Sequence, residues 1–253
     1  MTATRTPTVV LLRHGESTFN ASQVFTGLLD AGLTDAGAAQ LAVAAGLCRA
    51  AGILPTVVLT SPMRRALRTT ELFCEGLGLP PAHAAVTWRL CERDYGCLTG
   101  MAKADARETY GEDAFFTWRR TIDGRPPAAS PAQIATWVNP PPVADHGPIV
   151  PGSGEALADV IKRVRPLWED VLAPHLARTG ETVVVIAHGN SLRALCHLVF
   201  GLGEAETENL NIPAGHPLVF TLEGGVPAPR LGRYLDEASA HRAADAVAAA
   251  GGT

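Results

Sequence analysis

Short apolar runs alternate with helix-forming stretches along this chain, and this alternation limits the folds that it can adopt. The runs are rich in β-branched residues and occupy residues 8–12, 55–59, 86–90, 182–187 and 216–222. Continuous apolar runs of this length are typical of strands buried on both faces. The pattern predicts an α/β fold, a three-layer α/β/α arrangement with a mostly parallel central sheet.

The stretches between the runs predict helices over residues 34–51, 62–78, 155–178 and 191–200. Thr34 is a suitable N-cap for the first helix, and Pro166 with Pro174 predicts a kink or break in the third. Residues 97–150 interrupt the alternation: they begin helical and become proline-rich from residue 124. We expect one domain, 1–253, in which 97–150 is an inserted cap segment and 238–253 a mobile C-terminal tail.

Net charge limits the classes of partner that the protein can bind, and the cysteine content indicates its cellular compartment. The net charge of −4 argues against a nucleic-acid binder, because duplex affinity needs many basic contacts. The five cysteines are scattered and odd in number, which favours reduced thiols and a cytoplasmic protein. No apolar run approaches the roughly 20 residues that cross a bilayer, so we expect no membrane association.

Two of the predicted strands end in the same way. Residues 9–17 read VVLLRHGES and residues 183–191 read VVVIAHGNS. In each, an apolar strand stops at a histidine, His14 or His188, and the following glycine lets the backbone turn and approach a ligand closely. The next amide groups can bind an anion, helped by the helix dipole. On adjacent strands, the two imidazoles would face one phosphate.

Two other interpretations of this motif remain open. A histidine and a glycine after a strand often form only a turn, and paired histidines can also bind a metal ion. Divalent cations prefer carboxylates or thiolates beside the histidines, whereas Arg13 adjoins His14 and would repel a cation. The repeated motif therefore favours an anion site without a metal.

Further motifs extend the pattern along nearly the whole chain. They are Arg13-His14-Gly15-Glu16-Ser17 with Asn20, Phe25-Thr26-Gly27, Thr60-Ser61 with Arg64-Arg65-Ala66, Glu92-Arg93-Asp94-Tyr95-Gly96, Lys103, Tyr110-Gly111, Trp118-Arg119-Arg120, residues 187–193, and Leu210-Asn211-Ile212-Pro213 with Pro217-Leu218. Together they resemble the cofactor-dependent phosphoglycerate mutases of the histidine phosphatase superfamily. The Arg-His-Gly triplet marks only the superfamily, whereas the later motifs are more specific to the mutases.

This resemblance implies roles for particular residues. His14 would carry a phosphoryl group on a neutral imidazole, Arg13 and Arg65 would bind its oxygens, and His188 would donate a hydrogen bond to them. Glu92 would transfer a proton to or from the substrate, although a purely structural salt bridge to Arg93 or Arg65 is the alternative. The implied cradle also includes Ser17, Asn20, Thr26, Gly27, Gly189 and Asn190.

A mutase must hold a doubly phosphorylated intermediate while it reorients, so it benefits from a second anion site. The resemblance implies that Tyr95, Lys103, Arg119 and Arg120 bind the carboxylate and distal phosphate of a small phosphorylated carboxylate. It also implies 2,3-bisphosphoglycerate as the phosphoryl primer, no metal, and a dimer or tetramer. The implied reaction interconverts 3-phosphoglycerate and 2-phosphoglycerate, in glycolysis and gluconeogenesis or in a specialised pathway.

Several residues differ from those usual in this family: Val24, Leu28, Leu29, Ala156 and the loop over 124–150. They leave open a metal-independent phosphatase of the same superfamily, or a paralogue that acts on a phosphoglycerate analogue. A phosphate-binding module without turnover is disfavoured, because the chain retains the full set of residues to which the resemblance gives catalytic roles.

Overall fold

The computed structural model describes residues 6–80, 84–140 and 147–249. Within them, strands form a mixed sheet in the order β3-β2-β4-β1-β5-β6. The strands are β1 (Thr8–Arg13), β2 (Val57–Thr60), β3 (Ala84–Val86), β4 (Thr182–Ala187), β5 (Leu218–Glu223) and β6 (Val226–Tyr234). The first four strands pair in parallel, whereas β5 and β6 are antiparallel to their neighbours.

Helices cover both faces of this sheet. The helices of the described residues are α1 (Thr18–Ala21), α2 (Asp35–Ala50), α3 (Arg64–Leu77), α4 (Lys103–Tyr110), α5 (Glu112–Arg120), α6 (Pro131–Ala135), α7 (Leu157–Pro166), α8 (Ala173–Thr179), α9 (Gly189–Phe200), α10 (Glu204–Asn209) and α11 (Glu237–Ala249). Thr34 caps α2 as predicted, because its side chain accepts a hydrogen bond from the Gly37 amide.

The central strands separate two apolar clusters. On one face, Val183 and Val185 pack in the cluster that contains α7 and α9. On the other, Val184 and Ile186 pack with the apolar sides of α2 and α3. Successive strand residues point to opposite faces, so the all-apolar β4 serves both clusters. This three-layer arrangement confirms the predicted fold class.

The helical stretch before β4 is irregular where prolines were expected to interrupt it. Helix α7 ends at Pro166, a wider π-helical turn spans Leu167–Leu172, and α8 begins at Ala173. Proline has no amide hydrogen to continue the helical ladder, and a π-turn absorbs the resulting mismatch without ending the helical path.

Two strand predictions were wrong in part. The strand expected over 86–90 is instead the short β3, followed by a 3-10 turn at Trp88–Leu90. The strand expected at 216–222 is β5, but it is not the final one, because β6 follows after the turn at Gly224 and Gly225. Strand β6 contains prolines, which the outer edge of a sheet tolerates because no neighbour there needs an amide donor.

The segment over 97–150 contains α4, α5 and α6 in its described part. An apolar cluster of Tyr95, Cys97, Leu98, Ala106 and Phe115 joins it to Phe25 of the loop after β1. Among the described residues, no helix combines the length and the apolar character needed to span a membrane. All five cysteines are buried free thiols.

Candidate active site

The two His-Gly motifs meet at one edge of the sheet. Strands β1 and β4 are parallel neighbours, with Arg13 opposite Ala187, so His14 and His188 follow at the same level. The His14 amide donates to the Ala187 carbonyl at 3.0 Å, and the two ring centroids lie 5.0 Å apart at an interplanar angle of 58°. The structure thus brings together the two imidazoles that the repeated motif singled out.

One nitrogen of the His14 ring is fixed by the backbone. Nδ1 lies 2.7 Å from the Gly15 carbonyl oxygen, so in the neutral ring the Nδ1 proton is donated there and the lone pair is on Nε2. Burial, with the charges of Arg65 and Arg13, holds the pKa of His14 well below its usual value. The ring is therefore neutral near pH 7, as a nucleophilic imidazole must be.

Gly15 is required for a reason that the sequence did not indicate. A Cβ at this position would lie 2.4 Å from the Gly37 carbonyl oxygen, and a Cβ on Gly37 would lie 2.1 Å from the Glu16 carbonyl oxygen. At Gly15 the backbone closely approaches the first turn of α2. This contact fixes the loop that carries His14.

Two guanidinium groups are held beside His14 by backbone carbonyls. Arg13 Nη1 donates to Ile212 O at 2.8 Å, and Arg65 donates to Leu29 O and Gly27 O, each at 2.8 Å. Burial lowers the pKa of Arg13 and lowers the pKa of Arg65 to about 10. Both groups remain charged near pH 7, and carbonyl acceptors leave that charge unneutralised.

The Glu92 carboxylate is also buried and held by donors. Its Oε1 accepts from the Arg93 amide at 2.7 Å, from Asn190 Nδ2 at 3.0 Å and from the Asn190 amide at 3.3 Å. The alternative predicted for Glu92, a salt bridge to Arg93 or Arg65, is not among the ion pairs of the described residues. The Arg93 contact uses the backbone amide.

A buried ion pair holds the backbone around Glu92. Arg163 Nε lies 2.9 Å from Glu155 Oε1, and Arg163 Nη2 donates to the carbonyls of Cys91 and Glu92 at 2.9 and 3.1 Å. Glu155 Oε2 accepts from the Asp94 amide at 3.0 Å. These contacts hold the backbone of an irregular loop, from which the Glu92 side chain reaches Asn190 at the start of α9.

A cavity of about 310 Å³ opens at this edge. Most of the residues predicted for the site line it: Arg13, His14, Asn20, Thr26, Gly27, Arg65, Glu92, Tyr95, Lys103 and Arg119. No group of three or more His, Cys, Asp or Glu side chains in the described chain is arranged to hold a metal ion. The charged side chains that line the cavity are four basic ones, Arg13, Arg65, Lys103 and Arg119, and two acidic ones, Glu16 and Glu92, a balance that suits a polyanionic ligand.

Lys103 and Arg119 bring positive charge to the cavity from the 97–150 segment. Lys103 Nζ lies 3.2 Å from Gln23 Oε1, and burial with nearby arginines lowers its pKa to about 8. The Arg119 guanidinium lies over the rings of Phe25 and Phe115, at 5.0 and 4.8 Å from their centroids. Burial lowers its pKa to about 10. The two aromatic rings stabilise the buried guanidinium cation through its attraction to their faces.

Five predicted site residues do not line the cavity. Ser17 caps α1, and Arg120 binds the Glu208 carbonyl and Asn211 Oδ1. His188, Gly189 and Asn190 form the buried start of α9. Asn190 nevertheless reaches the site through Glu92 and through Tyr95 Oη, 2.9 Å from its Nδ2.

Other residues line the cavity without having been predicted. Glu16 and Gln40 are joined by a hydrogen bond from the Glu16 amide to Gln40 Oε1 at 3.0 Å. The remaining ones are Gln23, Val24, Phe25, Pro213, Ala214, His216, Ala243, Ala246 and Val247. The last three belong to α11, and no sequence signal tied its small apolar side chains to a polar cavity.

Comparisons with known proteins agree with this geometry. The family model described as histidine phosphatase superfamily (branch 1) matches residues 9–140 and 128–231. A protein of Nocardioides sp. named 2,3-bisphosphoglycerate-dependent phosphoglycerate mutase is 43% identical over 244 residues, which cover 96% of this chain and 98% of that protein. A protein of Thermobifida fusca with the same name is 42% identical, covering 95% of this chain and 97% of its own.

Solved structures share the fold at lower identity. The native structure of mycobacterial glucosyl-3-phosphoglycerate phosphatase has a TM-score of 0.65 and 25% sequence identity, covering 87% of this chain and 93% of that chain.

Proposed function

This chain belongs to the histidine phosphatase superfamily, and from that membership we propose that it is a 2,3-bisphosphoglycerate-dependent phosphoglycerate mutase that interconverts 3-phosphoglycerate and 2-phosphoglycerate. The observation that carries the proposal is the pairing of a neutral, buried His14 with four cationic side chains that line one cavity, Arg13, Arg65, Lys103 and Arg119. Similarity over nearly the full length to proteins of that name supports it.

His14 is the proposed phosphoryl carrier. Its Nε2 lone pair attacks phosphorus, an N–P bond forms, and the P–O bond to the departing oxygen breaks. In the return step a substrate hydroxyl oxygen attacks the phosphorus, and the electron pair of the N–P bond returns to Nε2. Two displacements replace one difficult transfer, and the Nδ1 bond to Gly15 O keeps Nε2 in place throughout.

The other residues act on charge and protons. Arg13 and Arg65 balance the negative charge on the phosphoryl oxygens, where positioning and electrostatics supply most of the catalysis. His188 donates a hydrogen bond to the same oxygens. Glu92 accepts the proton of the attacking hydroxyl and returns a proton to the oxygen that leaves.

The substrate is proposed to lie between the sheet edge and the 97–150 segment. Lys103, Arg119 and Tyr95 would bind its carboxylate and distal phosphate, and Asn20, Thr26 and Gly27 would line its other side. Ser17, Gly189 and Asn190 would support these binding residues from the adjoining turns. Arg120 would support them through its contacts with Glu208 and Asn211. We propose that 97–150 is a cap within a single domain and that residues from 238 onward move to admit substrate.

The residues present fit the phosphoryl primer that the resemblance implies. A cavity lined by four cationic groups matches a ligand with two phosphates and a carboxylate, and Arg13, Arg65, Lys103 and Arg119 would hold it. When bound, 2,3-bisphosphoglycerate supplies the phosphoryl group that first loads His14. The proposed mechanism uses no metal.

A phosphatase of the same superfamily is the second candidate, because the solved structure with a TM-score of 0.65 is a phosphatase. The two reactions differ in the acceptor of the phosphoryl group, which is a substrate hydroxyl or water. The higher identity to the mutases, 43% against 25%, favours the mutase.

Phosphorus NMR distinguishes these reactions. We expect 3-phosphoglycerate to yield 2-phosphoglycerate only when a trace of 2,3-bisphosphoglycerate is added, with a chelator present. Release of mainly inorganic phosphate would identify the phosphatase. Products formed equally well without the bisphosphate would contradict the priming step.

The His14→Ala variant tests the phosphoryl carrier. It removes the only nitrogen proposed to bond to phosphorus, so we expect no turnover and no acid-labile phosphoenzyme. Labelled phosphate is measured on protein quenched after incubation with labelled 2,3-bisphosphoglycerate. Label retained by His14→Ala would refute the assignment.

Cellular setting and assembly follow as further proposals. We propose a cytoplasmic enzyme of glycolysis and gluconeogenesis that assembles as a homo-oligomer, either a dimer or a tetramer. Light scattering at micromolar concentrations measures the assembly directly, and a monomer would contradict it.

A further inference from the structure

Ser61 lies next to His188, although it neither lines the cavity nor belongs to the set proposed to bind substrate. It follows β2, and β2 pairs in parallel with β4, which ends just before His188. Parallel pairing therefore carries both side chains to the same sheet edge. Ser61 Oγ lies 2.7 Å from His188 Nε2, and both residues are fully buried.

The hydrogen bonds around Ser61 define where its proton goes. Ser61 Oγ accepts from the Met63 amide at 3.4 Å. Among the described residues, its other hydrogen-bond contact is His188 Nε2. A hydroxyl carries one proton to donate, so donation to Nε2 satisfies that proton, whereas acceptance from an Nε2 proton would leave it buried without an acceptor.

The second ring nitrogen of His188 has no hydrogen-bond partner within the described part of the chain. Nδ1 is buried, and the described residues offer it no hydrogen bond. A buried polar atom of this kind costs free energy unless a ligand satisfies it. The His188 ring centroid lies 5.0 Å from that of His14, within reach of a group carried on His14 Nε2.

Burial, with the charges nearby, keeps the His188 ring neutral, so the position of its one proton matters. Burial lowers the pKa of His188 well below its usual value, and Arg65, His14, Arg13 and Arg163 lower it further. A neutral imidazole has one proton, on Nδ1 or on Nε2. With the proton on Nε2, the Nδ1 lone pair would meet phosphoryl oxygens and repel them.

We propose that Ser61 is a positioning residue that donates its hydroxyl proton to His188 Nε2 and thereby keeps the imidazole proton on Nδ1, where it is available to the phosphoryl group on His14. The inference rests on the proposed roles of His14 and His188. It adds a residue that acts through His188 without touching substrate, as buried partners of catalytic histidines fix the tautomer in other enzymes.

Nitrogen-15 NMR of the histidine rings tests the proton position without any assay of activity. In the full-length unliganded protein we expect His188 to show a protonated Nδ1 and an unprotonated Nε2. In Ser61→Ala we expect a mixture with protonated Nε2, and in Ser61→Thr the pattern of the unmodified protein, because the hydroxyl is retained. A protonated Nε2 in the unmodified protein would overturn the proposal even if the mutase reaction is confirmed.

Steady-state kinetics test whether the Ser61 hydroxyl contributes to turnover. We expect Ser61→Ala to lower kcat by about tenfold to a hundredfold, less than the loss from deleting an oxyanion donor outright, with little change in the KM for 3-phosphoglycerate. Ser61→Thr should restore most of kcat. Thr60→Val is the matched control, because Thr60 Oγ1 is buried one residue earlier without a hydrogen-bond partner in the described chain, and its kcat should stay near that of the unmodified enzyme.

Two results would contradict the proposal. One is a Ser61→Ala enzyme with unchanged kcat and an unchanged His188 proton pattern. The other is an equal loss in Ser61→Ala and Ser61→Thr, with circular dichroism showing both folded, because that would make the site sensitive to shape and not to the hydroxyl. If the unmodified enzyme forms no phosphohistidine but the NMR pattern holds, the proposed function fails, and only the part of the inference that assigns the His188 proton position to Ser61 stands.

Discussion

Arg119 and Arg120 are neighbours in sequence but have different surroundings. Arg119 lines the cavity and lies over two aromatic rings, whereas Arg120 is bound to the Glu208 carbonyl and Asn211. We expect Arg119→Ala to weaken 2,3-bisphosphoglycerate binding by about tenfold to a hundredfold, the range for a hydrogen bond to a charged group, and to affect cleavage of a small monoester less. Arg120→Ala should mainly lower the midpoint of thermal unfolding.

Isothermal titration with the bisphosphate and turnover of a small phosphate monoester measure the two effects. Equal losses on both ligands in Arg119→Ala would remove the reason to place a second anion site beside the 97–150 segment.

Lys103 gives a pH dependence whose direction follows from its surroundings. Burial lowers the pKa of Lys103 to about 8, so the ammonium group is charged below that pH and neutral above it. We expect kcat/KM for 3-phosphoglycerate to fall as the pH rises through about 8, because kcat/KM reports ionisations of the free enzyme. In Lys103→Arg we expect kcat/KM to stay nearly constant over this pH range, since arginine stays charged. If kcat/KM of Lys103→Arg still falls over this pH range, another group is responsible for the titration.

At the level of single residues, motifs identified the side chains that meet the ligand space. Arg13, His14, Arg65 and Glu92 all line the cavity, and each belongs to a short motif that the sequence alone reveals. The sequence could not show that Arg120 turns towards α10, since that depends on a carbonyl 88 residues away. It also gave Ser61 no role, because its contact with His188 joins residues 127 positions apart.

Among the elements, the contact between the His14 loop and α2 predicts a measurable contrast between two glycines of one helix. A Cβ on Gly37 would meet the Glu16 backbone at 2.1 Å, whereas a Cβ on Gly46 meets nothing within 4 Å. We expect Gly37→Ala to lower the free energy of unfolding by about 1–3 kcal/mol or more through overpacking, and to lower kcat by displacing His14. Gly46→Ala should raise it by about 0.5–1 kcal/mol, the helix preference of alanine over glycine.

Urea unfolding of both variants measures the contrast. A stable, fully active Gly37→Ala enzyme would show that the Glu16 backbone can shift, and that this contact does not fix His14.

Elements with strong periodicity were predictable, and those that depend on distant partners were not. Residues 182–187 were identified as a strand to both ends, because an all-apolar run between turns has few alternatives. Strand β6 is half exposed and carries Pro227, Pro229 and Gly232, so its pattern is not that of a strand. Pairing with β5 determines the conformation of β6, and the propensities of its own residues do not predict that pairing.

For the whole molecule, the overall charge and the charge of the site have opposite signs. The chain carries a net charge of −4, yet the cavity is lined by more basic than acidic side chains. We expect kcat/KM for 3-phosphoglycerate to fall several-fold between about 20 and 200 mM salt, because screening weakens the attraction of an anion to the cavity, with kcat nearly constant. Equal effects of potassium and choline chloride would exclude a specific cation effect, and a flat profile would contradict electrostatic steering.

The central position of β4 makes the active site depend on a strand that lies late in the chain. Strands β1 and β2 come early in the chain, yet each pairs with β4 and not with the other. A nascent or truncated polypeptide that lacks residues 182–187 therefore has no central strand, and closing so long a loop is entropically slow. The rate at which phosphoryl transfer recovers during refolding would therefore report when that strand is inserted, and a sheet without it would be inactive.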